Sequence, residues 1–197
     1  MKAVLATKNK HKTGEVAALL SRFGLDVELL TLKDIDFNDE IIEDGETFEE
    51  NALIKCRAVS QKYNGMIIAD DSGICVDALG GEPGIYSARY AGDGNDDSNN
   101  KKLLEKLINV PREKRTARFV CAFAAIVDGN EYVVRGECEG IIAPQKRGSG
   151  DFGYDPLFEY VPSGKTFAEM TEDEKNSVSH RANALKAFAE LMKTLEK

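Results

Sequence analysis

The 197-residue sequence predicts an α/β fold, and three observations carry that expectation. The chain opens on a short apolar run, an amphipathic helical stretch and a second apolar run, the order of a β-α-β unit. Two S/T-x-x-E patterns, Thr47 with Glu50 and Thr171 with Glu174, announce helix starts further along. Two long apolar-rich runs meet at Asp128-Gly129-Asn130, the clearest hairpin signal in the chain.

Taken in order, "KAVLA" (2–6) reads as a buried strand, followed by the polar loop "TKNKHK". A helix is predicted over 12–23, because Val16, Leu19, Leu20 and Phe23 recur at helical spacing. "DVELLTL" (26–32) returns as a strand, and 33–46 is acidic and irregular. The helix opened at Thr47 runs to about residue 64, with Phe48, Ala52, Cys56 and Val59 on one stripe. "MIIA" (66–69) is the next strand, and the glycine-rich segment after it reads as loop with short elements. A helix over 97–108 sets Leu103, Leu104, Leu107 and Ile108 on its core face. The hairpin strands follow, then the glycine-rich loop "KRGSGDFGYDP" (146–156) and a short strand, "LFEYV". The tail ends as an amphipathic helix with Leu185, Phe188, Met192 and Leu195 on one face. No repeat or long linker interrupts the chain, which therefore reads as one domain of two lobes.

Composition narrows the functional classes. Lys and Arg number 26 against 34 Asp and Glu, a net charge of −8, which argues against direct nucleic-acid binding. Local basic residues or a metal can still serve a small phosphorylated ligand. Cys56, Cys75, Cys121 and Cys138 form no CxxC pair and have no histidine at zinc-ligand spacing. The apolar stretch at the start is too short for a signal peptide, and no run approaches membrane-spanning length. The expectation is a reduced, cytoplasmic protein with no membrane contact.

Four stretches can carry chemistry. "TKNKHK" enters a helix, where exposed backbone N–H groups suit phosphate; Thr7 and Asn9 add hydrogen bonds, and Lys8, Lys10 and Lys12 add charge. It is not a P-loop, and on its own it reads equally as a solvated face. Glu43, Asp70 and Asp71, with Asn51 and Lys55 one helical turn apart, form an acid set of the kind that holds Mg²⁺ beside substrate phosphates. Taken alone, "IIADDSG" (67–73) leaves a strand end and a metal site evenly matched. In "GSGDFGYDP" (148–156) three glycines let backbone approach a ligand, and Phe152 offers a face for a base, or else the segment is a surface turn. In "KNSVSHR" (175–181), His180 and Arg181 open the last helix behind Ser179. A basic pair there opposes the helix dipole, which invites an acceptor-rich ligand as the explanation.

These stretches in this order, with "GETFEENALIKCRA", "ADDSGICVDALGGEPGIYSARYAG", "DFGYDP" and "EMTEDEKNSVSHRANAL", resemble the inosine triphosphate pyrophosphatase family across nearly the whole chain. One departure is Asp151, where many relatives would carry glycine before "FGYDP". The resemblance implies a Mg²⁺-dependent homodimer that cleaves non-standard purine nucleoside triphosphates (ITP, dITP, XTP) to the monophosphate and pyrophosphate. It implies an elongated two-lobed α/β fold around a long curved mixed β-sheet, with the active site between the lobes. By motif position, Thr7, Asn9 and Lys12 would grip phosphates, beside Lys8, Lys10 and His11. Glu43 and Asp71 would bind metal, and Asp71, with Lys55 as its catalytic partner, would activate water. Ser72 would touch substrate, while Phe152, Gly153, Tyr154, Asp155, Lys175, His180 and Arg181 would hold the base end. Asp70 would be structural support.

The chemistry agrees with these roles, since hydrolysis at the α-phosphorus asks for a positioned water, charge neutralisation and one base. Arg181 carries only donors, so it suits the 6-oxo group of inosine and xanthosine and clashes with the 6-amino group of adenine. A non-catalytic nucleotide sensor on the same scaffold predicts binding without turnover. A phosphomonoesterase with an aspartyl nucleophile is disfavoured, because "ADDSG" lacks the DxDx[TV] pattern.

Overall fold

The computed structural model describes residues 1–150 and 152–195, so the departure at Asp151 lies outside the described residues. In chain order the elements are β1 (Lys2–Leu5), α1 (Lys10–Arg22), β2 (Glu28–Thr31), α2 (Phe48–Ser60), β3 (Met66–Val76) and α3 (Asp96–Lys106). They continue as β4 (Thr116–Val127), β5 (Asn130–Ile142), β6 (Phe158–Tyr160), β7 (Lys165–Thr166), α4 (Glu172–Val178) and α5 (His180–Leu195). The strands form a mixed seven-stranded sheet in the order β2-β1-β3-β4-β5-β6-β7. β1 pairs parallel with β2 and β3, whereas β6 pairs antiparallel with β5 and β7. The opening β-α-β unit and its flanking helices therefore make the expected α/β fold. The hairpin turn places Asp128 at φ 48° and Gly129 at φ 80°, the left-handed pair that joins two twisted strands in a tight turn.

The chain divides into two compact units. The first comprises Met1–Asp71, Cys121–Gly136 and the stretch from Arg181 through α5; the second comprises Ser72–Val120 and Glu137–His180. In the first, Leu5, Val16, Leu19, Leu20, Ile68, Phe123, Leu185 and Phe188 share one core. The stripe of α1 buries Val16, Leu19 and Leu20 there, and the Phe123 and Phe188 rings meet at 5.0 Å. In the second, Ile74, Leu103, Leu107, Phe119, Ile142, Phe158 and Phe167 form the core.

Two expected core positions are not buried. Ile108 is 74% exposed and Leu195 41%. α3 ends at Lys106, so Ile108 has left the helical periodicity that placed it inward, and Leu195 is the last residue of α5. Cys56, Cys121 and Cys138 are buried free thiols, and burial pushes each up to about 12, so none is a ready nucleophile. Among the described residues no helix is long and apolar enough to cross a membrane.

The glycine-rich loop behaves differently from its sequence reading. Gly148 lies at φ 88°, and a Cβ there would meet the carbonyl of Ala168 at 2.4 Å. Ser149 and Gly150 donate their N–H groups to that same carbonyl. This part of the loop approaches the protein's own backbone at Ala168. Gly148→Ala is expected to lower stability by about 1–3 kcal/mol through left-handed strain plus overlap, read as a shift of the urea midpoint.

Candidate functional site

β3 does not end at the paired acids, as "IIADDSG" suggested; it continues through Asp70 and Asp71 to Val76. A strand tolerates carboxylates in its interior when cations meet them there, and the first unit supplies those cations from three helices. Successive residues of a strand face opposite ways, and the two neighbours accordingly meet different partners.

Asp70 is fully buried. Its Oδ2 accepts from Arg181 Nη2 at 3.0 Å and Nε at 3.3 Å, and Lys12 Nζ lies 3.1 Å away. Arg181, itself 1% exposed, also pairs through Nη1 with Glu15 of α1. Burial would push the Asp70 carboxyl up, but Lys12, Arg181 and Lys55 outweigh it and hold the group well below the usual carboxylate range. The guanidinium expected at a base thus meets the carboxylates of Asp70 and Glu15. Glu15 carried a sequence signal that went unused, because it lies one helical turn from Lys12.

Asp71 faces Lys55. The Lys55 ammonium lies 2.7 Å from Glu43 Oε2 and 3.2 Å from Asp71 Oδ1, which brings both expected metal ligands onto one cation. The other oxygen, Asp71 Oδ2, is buried with no hydrogen-bond partner. Burial pushes the Asp71 carboxyl up and Glu43 adds to the shift; Lys55 and Lys12 pull the other way without cancelling it. Asp71 is therefore a stronger base than a free aspartate. Lys55 keeps its proton, since Asp71, Glu43 and Asp70 together overcome the burial that would release it. The Glu43 loop is fixed by Asn51, whose Oδ1 accepts from Gly45 N at 2.9 Å. A Cβ on Gly45 would meet that oxygen at 2.8 Å, so the close approach requires glycine.

The entrance to α1 is pre-shaped. Asn9 caps the helix, its Oδ1 accepting from the His11 and Lys12 amides at 3.0 and 3.2 Å, and Thr7 Oγ1 accepts from Asn9 N at 3.2 Å. Both acceptors are thereby engaged, which turns the remaining donor capacity of Thr7 and Asn9 to an outside acceptor such as phosphate. Lys8, Lys10 and His11 are exposed around this turn, and His11 Nε2 lies 3.4 Å from Glu15.

The second unit holds the residues expected at a base, together with half-buried Ser72 at its start. Lys175 Nζ donates to Asp155 Oδ2 at 2.7 Å and sits 5.7 Å from the Phe152 ring centroid and 5.9 Å from that of Phe167. His180 is buried and stacks on Phe119 at 4.6 Å, and Phe119 stacks in turn on Phe167 at 5.6 Å. Tyr154 donates its hydroxyl to Ser87 O at 2.9 Å, and burial pushes that phenol well up. Sequence reasoning missed the supports beneath this loop. Asp96 of α3 accepts from Gly153 N and Asn100 donates to Gly153 O, and Asn99 bonds Ala88 O and Ala91 N. The available signal was two adjacent asparagines on the apolar side of a helix.

Among the described residues no group of three or more His, Cys, Asp or Glu is arranged around a metal position. Mg²⁺ asks for less from protein, because one or two carboxylates with substrate phosphates and water complete its octahedron. Glu43 and Asp71 on one shared cation, with Asp71 Oδ2 unpartnered, fit that requirement.

Comparison with known proteins gives a consistent set. The model of the Ham1 family matches residues 3–191. A dITP/XTP pyrophosphatase of Bacillus subtilis (strain 168) is 50% identical over 192 residues, covering 96% of both chains. One from Geobacillus kaustophilus (strain HTA426) is 51% identical over 186 residues, covering 92% of this chain and 89% of the relative. Among solved structures, the Staphylococcus aureus Ham1 protein superposes with a TM-score of 0.89 at 38% identity and full coverage of both chains. The dITP/XTP pyrophosphatase of Mycobacterium abscessus gives 0.77 at 42% identity, covering 95% and 97%.

Proposed function

The chain belongs to the Ham1 family, and on that premise we propose that it is a nucleoside-triphosphate pyrophosphatase acting on dITP, XTP and ITP with Mg²⁺. The observation that carries the reading is the Glu43–Lys55–Asp71 cluster, a fixed ammonium between two carboxylates with one buried oxygen unpartnered.

In this reading the α1 entrance receives the phosphate chain. Thr7 and Asn9 donate to it, while Lys8, Lys10, His11 and Lys12 contribute donors and positive charge. Lys55 offsets charge that builds on the oxygens in the transition state. Asp71 Oδ2 accepts a proton from the water that attacks the α-phosphorus in line, and its upward shift suits it to that task. The P–O bond to the β-phosphate breaks, and pyrophosphate departs. Mg²⁺, held by Glu43 and Asp71, supplies further charge neutralisation at the phosphates.

Base recognition falls to Phe152, Gly153, Tyr154, Asp155, Lys175 and His180, with Ser72 touching substrate. The Phe152 face stacks a purine, and Lys175, steadied by Asp155, offers N–H donors that suit a 6-oxo group. Arg181, assigned to the base end by its motif, also holds Asp70 in its ionised form. The chain works as a single functional domain, in a cytoplasmic homodimer that clears non-standard purines before they enter DNA and RNA. The free cysteines accord with a reducing compartment.

Purified protein with Mg²⁺ is expected to convert dITP, XTP and ITP to monophosphate plus pyrophosphate, at a kcat/KM at least about 10²-fold above that for ATP. Release of orthophosphate, or equal rates on ATP, overturns the assignment.

A further inference from the structure

The loop assigned to the base is held from beneath by α3 through the two peptide groups that flank Gly153. Gly153 N donates to Asp96 Oδ2 at 2.8 Å, and Gly153 O accepts from Asn100 Nδ2 at 2.7 Å. The same Asn100 amide also donates to Asp96 O at 2.7 Å, which ties the two supports together. Asn100 is 1% exposed, so its bonds are shielded from water, whereas Asp96 stands at the exposed first turn of the helix. α3 is itself anchored at that end, since Asn95 caps it by accepting from the Asp97 and Ser98 amides. Gly153 sits at φ 55° with open space where a Cβ would be. Its left-handed conformation is therefore set by bonding on both sides of the residue, not by crowding. Its neighbours along the chain are Phe152, near Lys175, and Tyr154, bonded to Ser87.

We propose that Asp96 and Asn100 are positioning residues that clamp the backbone on both sides of Gly153 and thereby fix Phe152 and the Asp155–Lys175 pair for the purine. With the peptide before Gly153 held at its N–H and the peptide after it held at its C=O, rotation about the Gly153 φ and ψ is restrained, so the flanking side chains keep one direction. Binding then costs less ordering of the loop. The inference rests on the reading that residues 152–155 with Lys175 receive the base. It adds that this selectivity depends on a helix whose own side chains never touch the nucleotide.

Asp96 gives the clean test, because it is exposed and its loss leaves α3 capped. Asp96→Ala is expected to raise KM for dITP roughly tenfold, equivalent to about 1.4 kcal/mol, with kcat within about twofold. Asp96→Asn retains a side-chain acceptor for Gly153 N and is expected to restore KM most of the way. Asp97→Ala removes a first-turn acid of the same helix that does not reach Gly153, and is expected to leave KM unchanged. Phe152→Ala separates the two layers of the argument. If it raises KM while Asp96→Ala does not, the clamp is overturned and the base site stands. If neither raises KM, the base reading fails and the clamp falls with it. A loss in Asp96→Ala confined to kcat or melting temperature, or reproduced by Asp97→Ala, also overturns the clamp.

Discussion

Asp70→Asn is expected to destabilise the protein by about 3–5 kcal/mol, the usual cost of removing one partner from a buried charge network. Arg181 is 1% exposed and would lose the carboxylate that it meets through Nη2 and Nε, while Lys12 would lose the charged oxygen 3.1 Å from its ammonium. The dependence on pH has a definite sign. Asp70 is held well below its unfolded value, despite burial that acts in the opposite direction, by Lys12, Arg181 and Lys55. Its stabilising contribution is therefore complete above pH about 4 and fades as pH falls through the folded value. Urea midpoints of wild type and variant should differ equally at pH 7 and pH 5, and the gap should narrow only in stronger acid. A variant as stable as wild type at pH 7 would mean that the network contributes nothing to folding.

Asp71→Asn should act in the opposite sense, reducing kcat by about 10²–10⁴-fold through loss of the general base while sparing the fold. Its carboxyl is pushed up chiefly by burial, with Glu43 adding to the shift, so its ionised form costs stability at neutral pH. Replacing it with a neutral isostere relieves that cost, and the melting temperature is expected to match or exceed that of wild type. Loss of turnover with gain of stability is the signature of a residue kept for chemistry. Near-normal kcat would remove Asp71 from the mechanism, and a large fall in melting temperature would refute the charge argument.

These contrasting neighbours show where the sequence is and is not legible. Elements set by local pattern were readable: the N-cap at Thr47, where the Glu50 carboxylate takes the Glu46 amide and not that of Thr47, the capping box at Thr171, the stripes of α1 and α2, and the turn at Asp128-Gly129. What pattern cannot express is a charge neutralised from far along the chain. Arg181 lies 111 residues from Asp70, so the buried pair looked locally like a strand end and a helix dipole violation. The same limit hid Asn100, whose partner Gly153 is 53 residues away, and the packing of residues 148–150 on Ala168. The candidate residues could be named because short motifs carry them. The buried contacts of Arg181 with Glu15 and Asp70 could not be read from those motifs.

The pleat of β3 also sets how this site tolerates change in length. Parallel pairing locks Ala3 to Met66, Val4 to Ile67 and Leu5 to Ile68, so the strand's start is anchored. Deleting or inserting one residue between Ile68 and Asp70 would turn every later side chain to the opposite face. An insertion after Ile68 would aim Ala69 at the buried guanidinium and offer Asp70 to Lys55 and Glu43, whereas a deletion would aim Asp71 at the guanidinium and Ser72 at Lys55. Substitutions here can be graded by severity, but indels cannot. The segment from Met66 to Asp71 is constrained in count as strictly as in composition.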